Sequence, residues 1–424
     1  MLDSFERITL ENGLRIILAP LPAFRSVTAI VLCGAGSRYE KEETNGVSHF
    51  LEHMFFKGTK KRPRAVDISH ALDEIGADYN AFTSKEVTGY HIKSASSHLP
   101  LVLDMISDMV WNSKFDHAEI EKERGVIIEE INMYEDTPMR RVAEIYEQVL
   151  WPNQPLGWDI GGRKEVIKAL KREDFLAYIE ARYVPNNLVV ALAGDFIKKE
   201  ALALIKKHFG WKAGHDVSTY LPVLENQTKP KLRIVYKKTD QAHLVVGMRG
   251  FKLGHPERYS AAILATILGG GMSSRLFVNV REKRGLAYYV RADHESYLDT
   301  GTLAASAGVD LSRIDEALKV ILSEFKEIAR SPVPVRELKK AKEYVKGKVV
   351  LSWEDSRTVA FAYGTDELLE GRVRTLDEYL GKIDAVGIED VAGVAKFLFS
   401  NNKLNLAVIG PFKDEEKFKK ILKI

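Results

Sequence analysis

The sequence predicts an α+β protein made of two similar halves. Three observations carry this expectation. Apolar runs and amphipathic stretches mix without a regular βαβ rhythm, a segment pattern recurs half a chain later, and a polar stretch separates the two parts. Strand-like runs at 14–18 and 27–32 open the first half, and runs at 232–236 and 244–248 open the second. Long stretches with helical spacing follow each set, at 98–111 and 117–134, then at 314–329 and 335–351.

The recurrence is short but specific. Asn186-Asn187 opens an apolar run ending at Gly194, Asn401-Asn402 opens another ending at Gly410, and a lysine-rich helical stretch follows each. The two glycines lie 216 residues apart, half the chain. A turn, a strand, a glycine and a helix are common in that order. The matched Asn-Asn starts, each near the end of its half, favour duplication. Between Gly214 and Lys231 the chain is polar, carries two prolines and lacks periodicity. The expected division is therefore 1–215, a linker at 216–229, and 230–424, giving halves of about 210 residues, an ordinary domain size.

Composition excludes several classes of function. The 424 residues carry 62 basic and 59 acidic side chains, a net charge of +3 that makes no nucleic-acid surface. No basic run with interleaved aromatics is present. A single cysteine, Cys33, rules out an intrachain disulfide framework and any multi-cysteine metal site, and fits a reducing compartment. Its neighbours Ala29-Ile30-Val31-Leu32 mark it as a small buried apolar residue rather than a nucleophile. The start, Met-Leu-Asp-Ser-Phe-Glu-Arg, has acids where a secretory signal has bases, and no apolar h-region follows. No stretch approaches the roughly 18–20 apolar residues of a membrane helix. A cytoplasmic protein, bacterial or archaeal, is expected, without membrane or nucleic-acid partners.

Chemistry concentrates in Ser48-His49-Phe50-Leu51-Glu52-His53-Met54-Phe55-Phe56-Lys57-Gly58-Thr59. A helix is expected here, capped by Thr44 or Asn45 and ended by Gly58. On it His49, Glu52 and His53 stand at i, i+3 and i+4 and share one face. Two imidazoles one turn apart can hold one zinc ion, and the carboxylate between them can reach the water on it. Phe50, Leu51, Met54 and Phe55 would bury the helix and dry the site. The spacing reverses the commoner zinc-protease motif and is that of the inverzincins. Three protein ligands are usual in a catalytic zinc site, so a third donor is needed, most simply a carboxylate. The acid-rich helical segment 119–131 offers several. Glu123, Ile127, Glu130 and Tyr134 form one stripe there and Glu129 points elsewhere, but periodicity does not choose among the acids. Composition alone also fits a solvated charged helix.

These residues closely resemble the pitrilysin and insulinase family of zinc peptidases, in the small-subunit branch that includes the mitochondrial processing peptidases. The block from Gly46 to Thr59 resembles the family's first motif almost residue for residue. The resemblance implies a processing-peptidase-like fold, with two homologous domains that each pack a mostly antiparallel sheet against helices. It implies one zinc per chain, a third ligand at Glu130, Glu52 as the general base, and Glu123 as a supporting glutamate outside the ligand set. The segment Gly76-Ala77-Asp78-Tyr79-Asn80-Ala81-Phe82-Thr83-Ser84-Lys85-Glu86-Val87-Thr88-Gly89-Tyr90 is similar to the family's substrate-binding edge strand, with Asn80 and Ala81 as the contacts. Read by residues alone it is rich in Thr, Tyr and Val and suits an ordinary sheet strand as well. In the second half, Arg281-Glu282-Lys283-Arg284-Gly285-Leu286-Ala287-Tyr288 is similar to the family's arginine and tyrosine pair, which hold substrate and stabilise the oxyanion. The run Leu268-Gly269-Gly270-Gly271-Met272-Ser273-Ser274-Arg275-Leu276-Phe277 lacks the spacing of a phosphate loop and also suits a turn before a helix.

With no His-x-x-Glu-His of its own, the second half is expected to be the metal-free copy. The implied function is a zinc endopeptidase acting on unfolded peptides or on a precursor. The implied assembly is a homodimer, or a heterodimer with a paralogue, enclosing a chamber in which Arg281 and Tyr288 serve the partner's zinc. The rival expectation is a non-catalytic scaffold or peptide-binding subunit, a role that family members with damaged zinc motifs take. Two imidazoles and a carboxylate suit zinc, though cobalt or manganese accept the same ligands.

Overall fold

The computed structural model describes residues 5–424. They form two compact units, each with its own sheet. The first takes in the chain up to Ile131, Trp158–Leu221 and Val350–Asp377; the second takes in Asn132–Gly157, Pro222–Val349 and Glu378–Ile424. Compactness thus groups the chain differently from a single cut at 216–229, because each unit borrows one segment from the other half of the sequence.

In the first unit the strands are β1 (Glu6–Thr9), β2 (Arg15–Pro20), β3 (Ser26–Cys33), β4 (Asp78–Thr83), β5 (Thr88–Ala95) and β6 (Leu188–Gly194), ordered β1-β2-β6-β3-β5-β4. All pairings are antiparallel except β2 with β6. Side chains alternate between two covered faces. Ile16, Leu18, Val27, Ala29 and Val31 join Phe50, Leu51, Leu103 and Ile106 on one side. Ile17, Ala19, Ile30, Leu32 and Ala191 meet Val359, Ala360 and Tyr363 on the other. Burial on both faces is why these strands read as continuous apolar runs without polar alternation.

The helix Ser356–Glu370 covers that second face. It lies close enough that a Cβ on Gly364 would fall 2.7 Å from Leu32 Cδ1. Its Glu367 is fully buried and takes Arg7 Nη2 on Oε1 at 2.8 Å, while Arg15 Nη1 donates to the Glu367 carbonyl at 2.9 Å. Removing the carboxylate takes away the partner of Arg7 and the nearby negative charge beside Arg15, and leaves the helix without its polar anchor. Glu367→Ala is expected to destabilise the first unit by about 2–4 kcal/mol, read as a lowered unfolding midpoint in denaturant. A midpoint equal to wild type would count against this role.

The second unit repeats the plan with β7 (Lys231–Tyr236), β8 (Gln241–Gly250), β9 (Ala287–Ser296), β10 (Gly301–Asp310) and β11 (Asn405–Gly410), ordered β7-β11-β8-β10-β9. Strand for strand this matches β2-β6-β3-β5-β4, including one parallel pair, β7 with β11. The two Asn-Asn segments form short 3-10 turns, and each leads into an interior strand of its sheet, β6 or β11. One face packs Leu244, Val246 and Met248 on helices including Arg258–Gly269 and Ile314–Arg330. The other packs Val245, Ala407 and Ile409 on Val142, Ile145 and Leu150 of the helix Pro138–Leu150. Among the described residues no helix is long and apolar enough to cross a membrane.

Candidate metal centre

Three elements of the first unit build the site: the helix Val47–Met54, the helix His117–Glu135 and the end of β4. The short helix buries Val47, Ser48, Phe50, Leu51 and Met54, with the Phe50 ring edge-on to Phe175 at 4.7 Å. This leaves His49, Glu52 and His53 together on the half-buried face, as their spacing requires.

The start of that helix departs from expectation. Gly46, at φ 101°, occupies the cap position, and neither Thr44 nor Asn45 caps it by side chain. The buried carboxylate of Glu40 does so instead. It accepts from the Gly46 N–H at 2.7 Å, the Ser48 N–H at 2.8 Å and Asn45 Nδ2 at 2.8 Å. Burial pushes the Glu40 carboxyl above its ordinary value, opposed by the hydrogen bonds from Ser48, Gly46 and Asn45. A carboxylate on the free N–H groups of a helix start satisfies donors and complements the helix dipole. Beyond Met54 the chain turns, and Gly58 follows at φ 116°.

His49, His53 and Glu130 each offer one ligand atom, and all three atoms lie within 4.8 Å of one another. Glu130 Oε2 is 3.6 Å from His49 Nε2 and 3.4 Å from His53 Nε2. With bonds of roughly 2.1 Å to zinc, the edge of a coordination tetrahedron is about 3.4 Å, so these separations fit the ion. The remaining nitrogen of His53, Nδ1, meets Glu123 Oε1 at 2.8 Å, and Glu123 Oε2 meets Lys57 Nζ at 2.6 Å. A carboxylate on the far ring nitrogen fixes which nitrogen is presented to a metal. His49 Nδ1 is buried without a hydrogen-bond partner among the described residues.

Electrostatics agree with a cation site. Burial lowers the pKa of His53, but the bonds and charges of Glu123 and Glu130 outweigh it and push the imidazole up to about 9. His49 goes the other way, down to about 4, through burial and then the charge of His53. Burial also lifts the Glu52 carboxyl above its usual value, tempered by a hydrogen bond from Thr83 and by His53. Glu123 stays below the ordinary carboxylate range, since its bonds to His53 and Lys57 overcome its burial.

The other expected residues fall as follows. Asn80 and Ala81 lie on β4, the outer strand of the sheet, paired to β5 on one side. Asn80 is exposed, and its Oδ1 accepts from the Ala81 N–H at 2.9 Å. Arg281 and Tyr288 belong to the second unit and are close to each other there. Arg281, on a π-helical turn Phe277–Glu282, sets its guanidinium 5.7 Å from the Tyr288 ring centroid. Tyr288 is the second residue of the outer strand β9 and is 73% exposed. The glycine run forms the turn between the helix Arg258–Gly269 and that π-helical turn. A Cβ on Gly269 would sit 2.1 Å from the Ala292 N, so helix and strand touch there. Glu40, Lys57 and Thr83 bear on the site without having been singled out by sequence.

Comparison with known proteins identifies the family. Residues 15–163 match insulinase (peptidase family M16), and residues 169–345 match the peptidase M16 inactive domain. The chain belongs to peptidase family M16. It is 39% identical over 406 residues to YmxG of Bacillus subtilis (strain 168), described as an uncharacterized zinc protease, covering 96% of this chain and 98% of that one. An uncharacterized zinc protease of Streptomyces coelicolor is 34% identical, covering 98% and 91% of the two chains. Among solved structures, a protease from Helicobacter pylori superposes with a TM-score of 0.91 at 23% identity, covering 97% of this chain and all of that one. The peptidase M16 inactive domain from Pseudomonas fluorescens superposes at 0.90 with 17% identity, covering 97% and 98%. These two likenesses concern the fold.

Proposed function

We propose that this protein is a zinc-dependent endopeptidase that hydrolyses unfolded peptides or trims a precursor, with His49, His53 and Glu130 as ligands. The observation that carries this reading is the convergence of two imidazole nitrogens and one carboxylate oxygen beside a second, half-buried carboxylate, Glu52. That a donor set of the right kind and spacing is intact favours an enzyme over a scaffold. Zinc bound here supplies Lewis acidity toward water and toward a peptide carbonyl.

The chain's own residues do the rest. Glu52 takes the proton of the attacking water and returns it to the leaving amine. Its carboxyl, lifted by burial, is a stronger base than an exposed glutamate. Glu123 holds His53 by Nδ1 and Lys57 holds Glu123. A peptide that pairs with the open side of β4, past Asn80 and Ala81, gains main-chain hydrogen bonds with little side-chain selectivity. Arg281 and the exposed phenol of Tyr288 act on a bound substrate, the tyrosine donating to the oxyanion. The reading includes a cytoplasmic dimer, homodimeric or with a paralogue, in which this pair serves the partner's site.

Mixing Glu52→Gln with Tyr288→Phe subunits tests the assembly. Each variant alone is expected to be nearly inactive, and the mixture to recover up to about a quarter of wild-type rate if the site is shared in trans. No recovery from subunits that do exchange would argue against sharing. Unstructured peptides are the expected substrates. Equal cleavage of folded proteins would contradict strand pairing on β4.

A further inference from the structure

We infer that Thr83 is the positioning residue for the base, its hydroxyl pinning one oxygen of Glu52 so that the other is left to receive a proton. The inference rests on the proposed role of Glu52. The Thr83 hydroxyl donates to Glu52 Oε2 at 2.6 Å, and the direction is fixed because a carboxylate only accepts. Such charge-assisted bonds are short and about twice as strong as neutral ones. Glu52 is a long side chain with three rotatable bonds, and among the described residues the Thr83 hydroxyl is what holds it by a hydrogen bond. Near it lies Glu130, a like charge that raises the cost of a wandering carboxylate.

The support under Thr83 is stiff. It closes β4, in register with Thr88, and the turn that follows is bonded on every side. The Ser84 N–H and its hydroxyl both donate to the Val87 carbonyl, at 2.8 and 2.9 Å. The Arg38 N–H reaches the Lys85 carbonyl at 2.9 Å, and the Thr88 hydroxyl reaches the Ala35 carbonyl at 3.1 Å. Lys85 and Glu86 are both buried, Lys85 on the Trp158 carbonyl and Glu86 on Arg38. A Cβ on Gly36 would fall 2.3 Å from the Ser84 carbonyl oxygen, so loop and hairpin are in contact.

One rigid element therefore does two things. Residues Asn80 and Ala81 lie on the outer strand to which the proposed peptide would add, and three positions after Asn80 the same strand bonds the base. Placement of the substrate backbone and aim of the base are set by the same strand, which is what orientation within fractions of an ångström requires.

The test uses the full metal-loaded chain with Thr83→Val, which keeps the shape and drops the hydroxyl, and Thr83→Ser, which keeps the hydroxyl. Thr83→Val is expected to lower kcat about 10- to 100-fold, with KM within about twofold and metal content unchanged, and Thr83→Ser to restore most of the rate. A Thr83→Val rate within about twofold of wild type would overturn the inference. So would a Thr83→Ser variant no better than Thr83→Val, since the methyl packing would then be what matters. Crystal structures give a readout without turnover: the Glu52 carboxylate leaves its place in Thr83→Val, and an unmoved carboxylate would overturn the role. If metal-loaded wild type cleaves no peptide, the enzyme reading fails by itself, and the position of Glu52 in Thr83→Val still decides the case of Thr83.

Discussion

Glu52→Gln is expected to keep its metal and lose peptide cleavage by roughly 100- to 10,000-fold, the usual worth of a positioned general base. The substitution is nearly isosteric, and Glu52 is outside the donor set His49, His53 and Glu130, so the ligands stay where they are. The amide oxygen can still accept from Thr83. What is lost is the ability to take a proton. The check is kcat/KM on an unstructured peptide beside metal content of the same preparation. Cleavage near the wild-type rate would sink the assignment of the base, and loss of metal would show that Glu52 is a ligand instead.

The second large effect is on the metal itself. Glu130→Ala and His53→Ala each remove one of three donors, and affinity for zinc is expected to fall by well over about 100-fold. Glu123→Gln, which weakens the bonds to His53 Nδ1 and Lys57 Nζ but removes no donor, should lower affinity in the range of about 10- to 100-fold. Competition with a chelator of known affinity gives the ranking. Thermal unfolding gives it independently, because a ligand that binds only the folded state raises its stability as concentration exceeds Kd. Added zinc should therefore raise the unfolding midpoint of wild type and leave that of Glu130→Ala unchanged at the same concentration. If Glu123→Gln proved worse than Glu130→Ala, the order of ligand and support would be reversed.

Much of this was legible in the sequence, for local reasons. His49, Glu52 and His53 share a face because helix geometry fixes what i, i+3 and i+4 do, and a short buried helix leaves them no other side. The strands at 27–32 and 244–248 stood out because both faces of their sheets are covered, which makes the runs mostly apolar, whereas 14–18 and 232–236 each carry an arginine, and the second is an outer strand with no fully buried residue. Residues without such periodic context stayed hidden. Glu40 caps the ligand helix from a loop that precedes it, where a reading of local capping residues points to Thr44 or Asn45. The side chain of Asn45 instead donates to Glu40 and to the Asp159 carbonyl. Lys57 stands one turn past His53 in the motif, yet its tie to Glu123 appears only when the second helix is in place. Thr83 ends a strand with nothing in its neighbours to mark it.

The division of the chain shows the same limit. The helices Ser356–Glu370 and Pro138–Leu150 each cover a sheet formed mostly by the other half of the sequence. A reading that moves along the chain finds a polar boundary near residue 220, and cannot see which distant apolar stripe completes a sheet's second face. Continuous apolar strands do show that something covers that face.

The most direct test of the central claim is zinc content measured on purified wild type, alongside cleavage of an unstructured peptide pool before chelation, after it and after zinc is restored. The account expects one zinc per chain, cleavage that disappears with the metal, and recovery when zinc returns. Zinc at far less than one per chain in protein that cleaves, or cleavage indifferent to its removal, would contradict a zinc peptidase built on His49, His53 and Glu130.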